Sequence, residues 1–93
     1  MCADQVPYRP QALFKRDGQE VPFEAAKIER AIAAAGHATG EFEAHEASAL
    51  ADAVLARLLE FHCVGVEQVQ DRVERVLMEA GYYQTARAYI VYR

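Results

Sequence analysis

The sequence has few of the residues from which catalytic and metal sites are usually built. Its only cysteines are Cys2 and Cys63, and neither they nor the three histidines show the paired spacing of a zinc site. It also lacks the Gly-x-x-x-x-Gly-Lys-Ser/Thr phosphate-binding loop, the Gly-x-Gly-x-x-Gly fingerprint and the Gly-x-Ser-x-Gly nucleophile elbow. We therefore expect a protein that is not an enzyme, and we assign no catalytic and no metal-binding residue.

Long hydrophobic runs are absent as well. None approaches the roughly 18 residues of a membrane-spanning helix, and residues 1–10 lack the hydrophobic region of a signal peptide. These absences favour a cytoplasmic protein without a membrane partner. A disulfide between Cys2 and Cys63 is geometrically feasible but is not expected in that compartment.

Positive charge is scarce outside the first third of the chain. Lys and Arg number 10 and Asp and Glu 14, which gives a net charge of −4. Residues 1–30 hold five of each sign, so the excess acid lies in residues 31–93. Such a surface repels the phosphate backbone of a nucleic acid, and no direct nucleic-acid binding is expected. One small polyphosphate at a single basic patch remains compatible with this charge.

The 93 residues form one small domain. Residues 1–11 contain prolines and no periodicity, which indicates a flexible leader before a folded domain of residues 12–93. The pair Asp17-Gly18 lies between strand-like residues and predicts a two-residue hairpin turn, in which both central residues take positive φ. That turn would place Lys15 opposite Glu20.

Helical periodicity fills the rest of the chain. Four amphipathic helices are expected, from Glu24 to Gly36, about Ala44 to Phe61, Glu67 to Ala80 and Tyr82 to Arg93. The predicted fold class is α+β and mostly helical: a four-helix bundle capped by a small β-hairpin or three-stranded sheet. A third strand or firm helix packing is needed, because an isolated hairpin is only marginally stable.

Three cations stand close together at the front of the domain, namely Lys15, Arg16 and Lys27. One interpretation is structural: Lys15 pairs with Glu20 across the hairpin, Lys27 pairs with Glu24, and Arg16 lies in the turn. The alternative is an anion site, in which the lysines converge at the start of the first helix. Apolar side chains nearby would then hold a flat ring, as in a nucleotide pocket.

Four stretches of the sequence resemble, in order and approximate spacing, the ATP-cone, the regulatory nucleotide-binding domain at the N-terminus of many ribonucleotide reductases. They are "KRDG", "VPFEAAKI", "VEQVQDRVERVLMEAG" and "TARAYIVYR". The same module occurs in the transcriptional repressor of ribonucleotide reductase genes. The resemblance covers residues 12–93 and implies a β-sheet lid over a four-helix bundle, with ATP or dATP bound at their junction and Mg²⁺ as the nucleotide's companion.

The resemblance also implies which residues contact the nucleotide. Phosphate and ribose contacts come from Lys15, Arg16 and Lys27, with Lys15 the better phosphate ligand. The walls around adenine are Leu13, Phe23, Ile28 and Val69, and the polar contacts to base or sugar are Glu24 and Gln70. Val66 stands where some members of the family have a threonine that touches phosphate.

The function that this resemblance implies is an allosteric activity sensor, as a domain excised from a ribonucleotide reductase in preference to a free-standing cone. Its partners would be an adenine nucleotide and the catalytic domain or subunits of the reductase, with nucleotide-dependent oligomerisation as a further expectation. Two other functions remain open: a degenerate cone that acts as a helical docking module without nucleotide, and the cone of a nucleotide-responsive repressor. In the sensor, the candidate docking contacts to the parent enzyme are the tyrosines of the last helix, Tyr82, Tyr83, Tyr89 and Tyr92, with packing against the bundle as the alternative for Tyr89.

Overall fold

The fold is a four-helix bundle with a three-stranded sheet at one end, which confirms the predicted fold class. It was obtained as a computed structural model, which describes residues 12–59, 61 and 63–92. The proposed leader, residues 1–11, lies outside the described part. The elements are β1 (Ala12–Phe14), β2 (Glu20–Pro22), α1 (Ala25–Thr39), α2 (Ala44–Ala56), β3 (Cys63–Gly65), α3 (Val66–Glu79) and α4 (Tyr83–Tyr92).

The sheet has the strand order β2-β1-β3. β1 pairs antiparallel with β2 and parallel with β3, with Leu13 opposite both Val21 and Val64. The hairpin therefore has the third strand that its stability requires. Cys63 of β3 is disulfide-bonded, contrary to expectation, and the other cysteine of the chain lies outside the described residues.

The predicted hairpin register is wrong by one residue. Phe14, rather than Lys15, lies opposite Glu20. The amide of Gly18 donates to the carbonyl of Lys15 at 2.9 Å, and Gly18 has φ of +88°. Among the described residues no non-glycine residue has positive φ, so Asp17 does not adopt the conformation that the two-residue turn needs. The loop is instead a turn followed by a left-handed glycine, and its additional residue shifts the register.

Two helix ends also differ from the prediction. α1 continues through Gly36 and ends at Thr39, with Gly40 as its left-handed cap at φ of +76°. α2 ends at Ala56 rather than near Phe61. After it, the amide of Phe61 donates to the carbonyl of Leu58 at 3.0 Å, and this tight turn buries Leu58 completely before the chain enters β3.

One hydrophobic core runs through the bundle. α1 and α3 each pack against both α2 and α4. The core contains mainly aliphatic side chains, among which Ile32, Val54, Leu58, Val64 and Leu77 have no solvent-exposed area. None of the helices within the described residues is long and apolar enough to cross a bilayer.

Candidate functional site

A groove lies where the hairpin meets the first turns of α1 and α3. Its inner part is a cavity of about 190 Å³ between the sheet and the bundle. The side chains around it are mostly apolar: Leu13, Lys15, Val21, Pro22, Phe23, Glu24, Lys27, Ile28, Ala31, Val66, Val69, Gln70 and Tyr89. Such a chamber, apolar with a few polar groups, is typical of sites for flat organic ligands.

The groove continues into a second, more open hollow of about 360 Å³. This outer hollow is lined by Lys15, Arg16, Asp17, Val66 and Gln70. Lys15, Val66 and Gln70 line both parts, so the mostly apolar inner cavity and the charged outer hollow lie side by side.

The hairpin loop has a fixed shape that directs two cations into the groove. Lys15 closes the loop through its amide, which donates to the carbonyl of Gln19 at 2.9 Å. The amide of Gln19 donates to Oδ1 of Asp17 at 2.9 Å, which braces the loop from within. The loop therefore holds Lys15 and Arg16 next to α3 without using either cationic side chain for its own turn.

The beginning of α1 supplies the third cation. Glu24 is the N-cap residue of α1, and its side chain makes no capping hydrogen bond. It forms an ion pair with Lys27, with Oε2 3.3 Å from Nζ, and both side chains are more than half exposed. The structural interpretation thus holds for this pair. Among the described residues, Lys15 has no corresponding ion pair.

The side chain of Arg16 contacts α3 across the groove and does not merely occupy the turn. Its Nη2 donates to Oε1 of Gln70 at 3.2 Å, and its Nε lies 3.4 Å from Oε2 of Glu67. Both partners lie in the first turns of α3. That helix begins firmly at Gly65, whose amide donates to the side-chain oxygen of Gln68 at 2.8 Å. Arg16 therefore ties the hairpin loop to α3 over the outer hollow.

The groove brings together all nine residues that the resemblance implies. Eight of them line the inner cavity, and Arg16 lines the outer hollow. The apolar wall is preorganised, because Ile28 and Val69 are each only 7% exposed. Binding of a nucleotide by these nine residues stays a prediction.

Sequence reasoning missed several residues of the groove. Val21 and Pro22 would have been found with the correct hairpin register, and Ala31 follows Lys27 and Ile28 by one helical turn. Tyr89 of α4 had no such signal, and its burial places it in the core rather than on a docking surface. Glu67, the partner of Arg16, was also missed.

A separate hollow of about 550 Å³, outside the groove, lies beside the C-terminal end of α2 and is lined by three arginines. Arg57 forms a paired interaction with both carboxylate oxygens of Glu79, and Asp71 accepts from Arg72 at 2.8 Å and Arg75 at 3.1 Å. The hydrogen bond from Arg57 lowers the pKa of Glu79, and the same contact raises the pKa of Arg57. The Arg57–Glu79 pair joins the end of α2 to α3, and Asp71 holds Arg72 and Arg75 within α3.

Two further polar clusters have structural explanations. His45 lies 2.7 Å from Glu46, but 81% of its side chain is exposed. Within the described residues, no group of three or more His, Cys, Asp and Glu side chains has a metal-binding arrangement. Oε1 of Glu41 accepts from the amide of Thr85 at 2.7 Å and from its hydroxyl at 2.6 Å. The hydroxyl bond lowers the pKa of Glu41 and anchors the start of α4.

Comparison with known proteins identifies a match over nearly the whole described chain. Residues 13–93 match the family model of the ATP cone domain. The matched range includes every residue that lines the inner cavity and the outer hollow.

The similar proteins are ribonucleotide reductases. The chain is 38% identical over 81 residues to the anaerobic ribonucleoside-triphosphate reductase of Salmonella typhimurium, which covers 87% of this chain and 11% of that protein. It is 42% identical over 86 residues to the vitamin B12-dependent ribonucleoside-diphosphate reductase of Thermoplasma acidophilum, a match that covers 87% of this chain and 11% of that protein. It is 34% identical over 92 residues to the ribonucleoside-diphosphate reductase subunit alpha of Chlamydia pneumoniae, a match that covers 88% of this chain and 9% of that protein. The chain thus spans about a tenth of the length of these relatives.

Proposed function

The chain belongs to the ATP-cone family, and on that premise we propose that it binds ATP or dATP in the groove and acts as an allosteric activity sensor of a ribonucleotide reductase. The observation that carries this proposal is the two-part groove. The mostly apolar inner cavity and the charged outer hollow share three lining residues, so a space for a ring lies next to cations that could bind phosphates. The role is regulatory rather than catalytic.

The inner cavity supports the placement of the base. Leu13 and Phe23 come from the sheet side, and Ile28 and Val69 come from the two helices. These side chains line the inner cavity, and burying a ring against them removes apolar surface from water. The carboxylate of Glu24 and the amide of Gln70 are the polar groups that would contact the base or the sugar.

The mouth of the groove supports the placement of the phosphates. Lys15 lines both parts, and its ammonium group forms no ion pair with another described residue, so we take it as the first phosphate ligand. Lys27 would exchange Glu24 for phosphate in the first turn of α1, where helix amides add positive potential. Arg16 would contact the outermost phosphates. Mg²⁺ would arrive with the nucleotide and neutralise part of its charge.

The position of the ligand between two elements supports a regulatory role. The groove joins the hairpin to the helices, so a bound nucleotide changes how firmly the sheet is held on the bundle. ATP and dATP differ only in the ribose 2′-hydroxyl, and a sensor needs a different response of this junction to each. The partners in this proposal are the catalytic domain or subunits of a reductase in the cytoplasm, with nucleotide-dependent oligomerisation as the means of control.

Replacement of the two lysines tests the proposal. The double variant Lys15→Ala/Lys27→Ala should lose ATP and dATP binding in isothermal titration calorimetry, since each charge-assisted contact contributes about 1.5–3 kcal/mol. Arg87→Ala is the matched control, because it removes an exposed cation of α4 away from the groove. Binding of ATP by the double variant at wild-type strength would show that the groove is not the nucleotide site.

One observation favours a second function, docking without nucleotide. α4 exposes three large apolar side chains: Tyr83 at 68%, Ile90 at 45% and Val91 at 81%. The side chain of Tyr92, another docking candidate, lies outside the described part. If docking is the function, Val91→Ser should abolish association of the chain with itself or with a reductase subunit in light-scattering chromatography. The lysine double variant should then associate normally, with or without ATP.

A further inference from the structure

The contact between Arg16 and Glu67 has a consequence for which nucleotides the groove accepts. Arg16 lines the outer hollow, and the carboxylate of Glu67 lies 3.4 Å from its Nε. Both side chains are exposed, Arg16 to 54% and Glu67 to 72%. Without a nucleotide, the carboxylate of Glu67 is thus paired with Arg16, the cation that would contact the outermost phosphates.

We propose that Glu67 is an internal competitor for Arg16 and that it sets how strongly the groove distinguishes long from short phosphate chains. This inference rests on the proposed nucleotide site. The carboxylate interacts with the guanidinium group in the way that a phosphate oxygen would, and the two anions cannot use the same face of the guanidinium group together.

The positions of the inner cavity and the outer hollow determine which nucleotides compete with Glu67 for Arg16. A ring in the inner cavity places its first phosphate near Lys15 and Gln70, which line both parts. Arg16 lines only the outer hollow. A nucleoside monophosphate therefore leaves the Arg16–Glu67 pair intact, whereas the terminal phosphate of a triphosphate must displace Glu67 from Arg16.

Among the groups around Arg16, Glu67 is the acid that a phosphate would displace. Asp17 also lines the outer hollow, but its Oδ1 is held by the amide of Gln19, where it braces the turn. Gln70 is neutral, so its contact with Arg16 does not oppose a phosphate. Glu67 lies in the first turn of α3, on a helix whose start is held separately by Gln68 and Gly65. Its side chain can therefore move without loss of the helix start.

A double-mutant cycle on the full chain tests this inference. The dissociation constants of AMP and Mg²⁺–ATP are measured by calorimetry for wild type, Glu67→Gln, Arg16→Ala and the double variant. Exposed ion pairs of this kind correspond to about a two- to fivefold effect. Glu67→Gln should tighten ATP by that factor and leave AMP unchanged, and in the Arg16→Ala background it should have no effect on ATP. Asp52→Asn, which removes an exposed acid from α2, is the control for net charge and should change neither ligand.

The outcomes separate this inference from the proposed function. Equal changes for AMP and ATP, or a gain that persists without Arg16, would show that Glu67 acts only as a nearby charge and would overturn the inference while the nucleotide site stands. Unchanged ATP affinity in Glu67→Gln would overturn it as well. If wild type binds neither AMP nor ATP, the proposed function fails, and the inference fails with it. A thermal melt of each ligand-free variant verifies that all are folded.

Discussion

Gly36 of α1 lies directly beneath the ring of Phe42, so closely that a Cβ atom on Gly36 would overlap three carbon atoms of the ring. Phe42 is 5% exposed and also packs against Tyr82, with ring centroids 4.7 Å apart. A glycine that looks like a helix stop in the sequence is thus a contact surface inside the helix. Phe42 precedes α2 and Tyr82 precedes α4, so the contact lies where these two helices begin beside α1.

The first prediction is that Gly36→Ala destabilises the domain by about 1–3 kcal/mol, because the methyl group overpacks the Phe42 contact. The sign is informative: at an ordinary interior helix position the same change stabilises by up to about 1 kcal/mol. Urea denaturation gives the free energy of unfolding. In a Phe42→Leu background, where the ring is gone, Gly36→Ala should cost less. An equal cost in both backgrounds would show that the ring is not the obstacle.

The second prediction concerns the loop that presents Lys15 and Arg16. Gly18 has φ of +88°, so Gly18→Ala should cost about 1–2 kcal/mol of stability and weaken ATP binding by distorting the loop. Gly18→Asn keeps a residue that tolerates this conformation and should lie close to wild type in both respects. Denaturation and calorimetry on the two variants check this. Similar behaviour of the alanine and asparagine variants would contradict a strained position.

The parts of the fold and of the groove that depend on neighbouring residues can be predicted from the sequence, and those that depend on distant contacts cannot. The hairpin position, the run of four helices and the grouping of cations depend on neighbouring residues, and the sequence predicts them. The hairpin register depends on whether Asp17 or only Gly18 takes positive φ, which the Asp-Gly pair does not determine. The end of α1 has two glycine stop signals, Gly36 and Gly40, and the sequence does not show that the second is the cap while the first packs under Phe42 inside the helix. Tyr89 enters the groove through helix packing, for which its local sequence carries no signal.

The third prediction concerns pH. The hydrogen bond from Thr85 lowers the pKa of Glu41 below its ordinary value of 4.5. The unfolded chain therefore takes up this proton at a higher pH than the folded chain. The stabilisation from Glu41 is complete above the unfolded value and is lost as the pH falls through the folded value.

Melting temperatures of wild type and Glu41→Gln between pH 7 and pH 3, a range set by the carboxyl titration, should expose this dependence. Wild type should lose stability more steeply than the glutamine variant below about pH 4.5. Glu79→Gln is the comparison, because Arg57 also lowers the pKa of Glu79. It should remove a separate part of the acid sensitivity. Parallel curves for wild type and Glu41→Gln would refute the role of Thr85.

The fourth prediction separates the ring site from the phosphate site. Ala31 lines the inner cavity and is half-buried, so Ala31→Leu should fill the cavity while the three cations stay in place. ATP binding should weaken at least about tenfold, which corresponds to losing only about 60 Å² of buried apolar ring surface. Ala34→Leu, on the exposed side of the same helix, is the control. Wild-type affinity in Ala31→Leu, measured by calorimetry, would place the base elsewhere.

The melting temperature of the wild-type chain decides whether the groove is an adenine-nucleotide sensor. It is measured with Mg²⁺ and ATP, dATP or GTP, and without nucleotide. A ligand at about a hundredfold its dissociation constant adds roughly 2.7 kcal/mol, which for a domain of this size raises the melting temperature by about 10–20 °C. If the groove binds adenine nucleotides, such a rise is expected with ATP and dATP and little change with GTP. No rise with any of the three at concentrations on the order of millimolar, well above typical nucleotide-site dissociation constants, would contradict it and leave docking as the function.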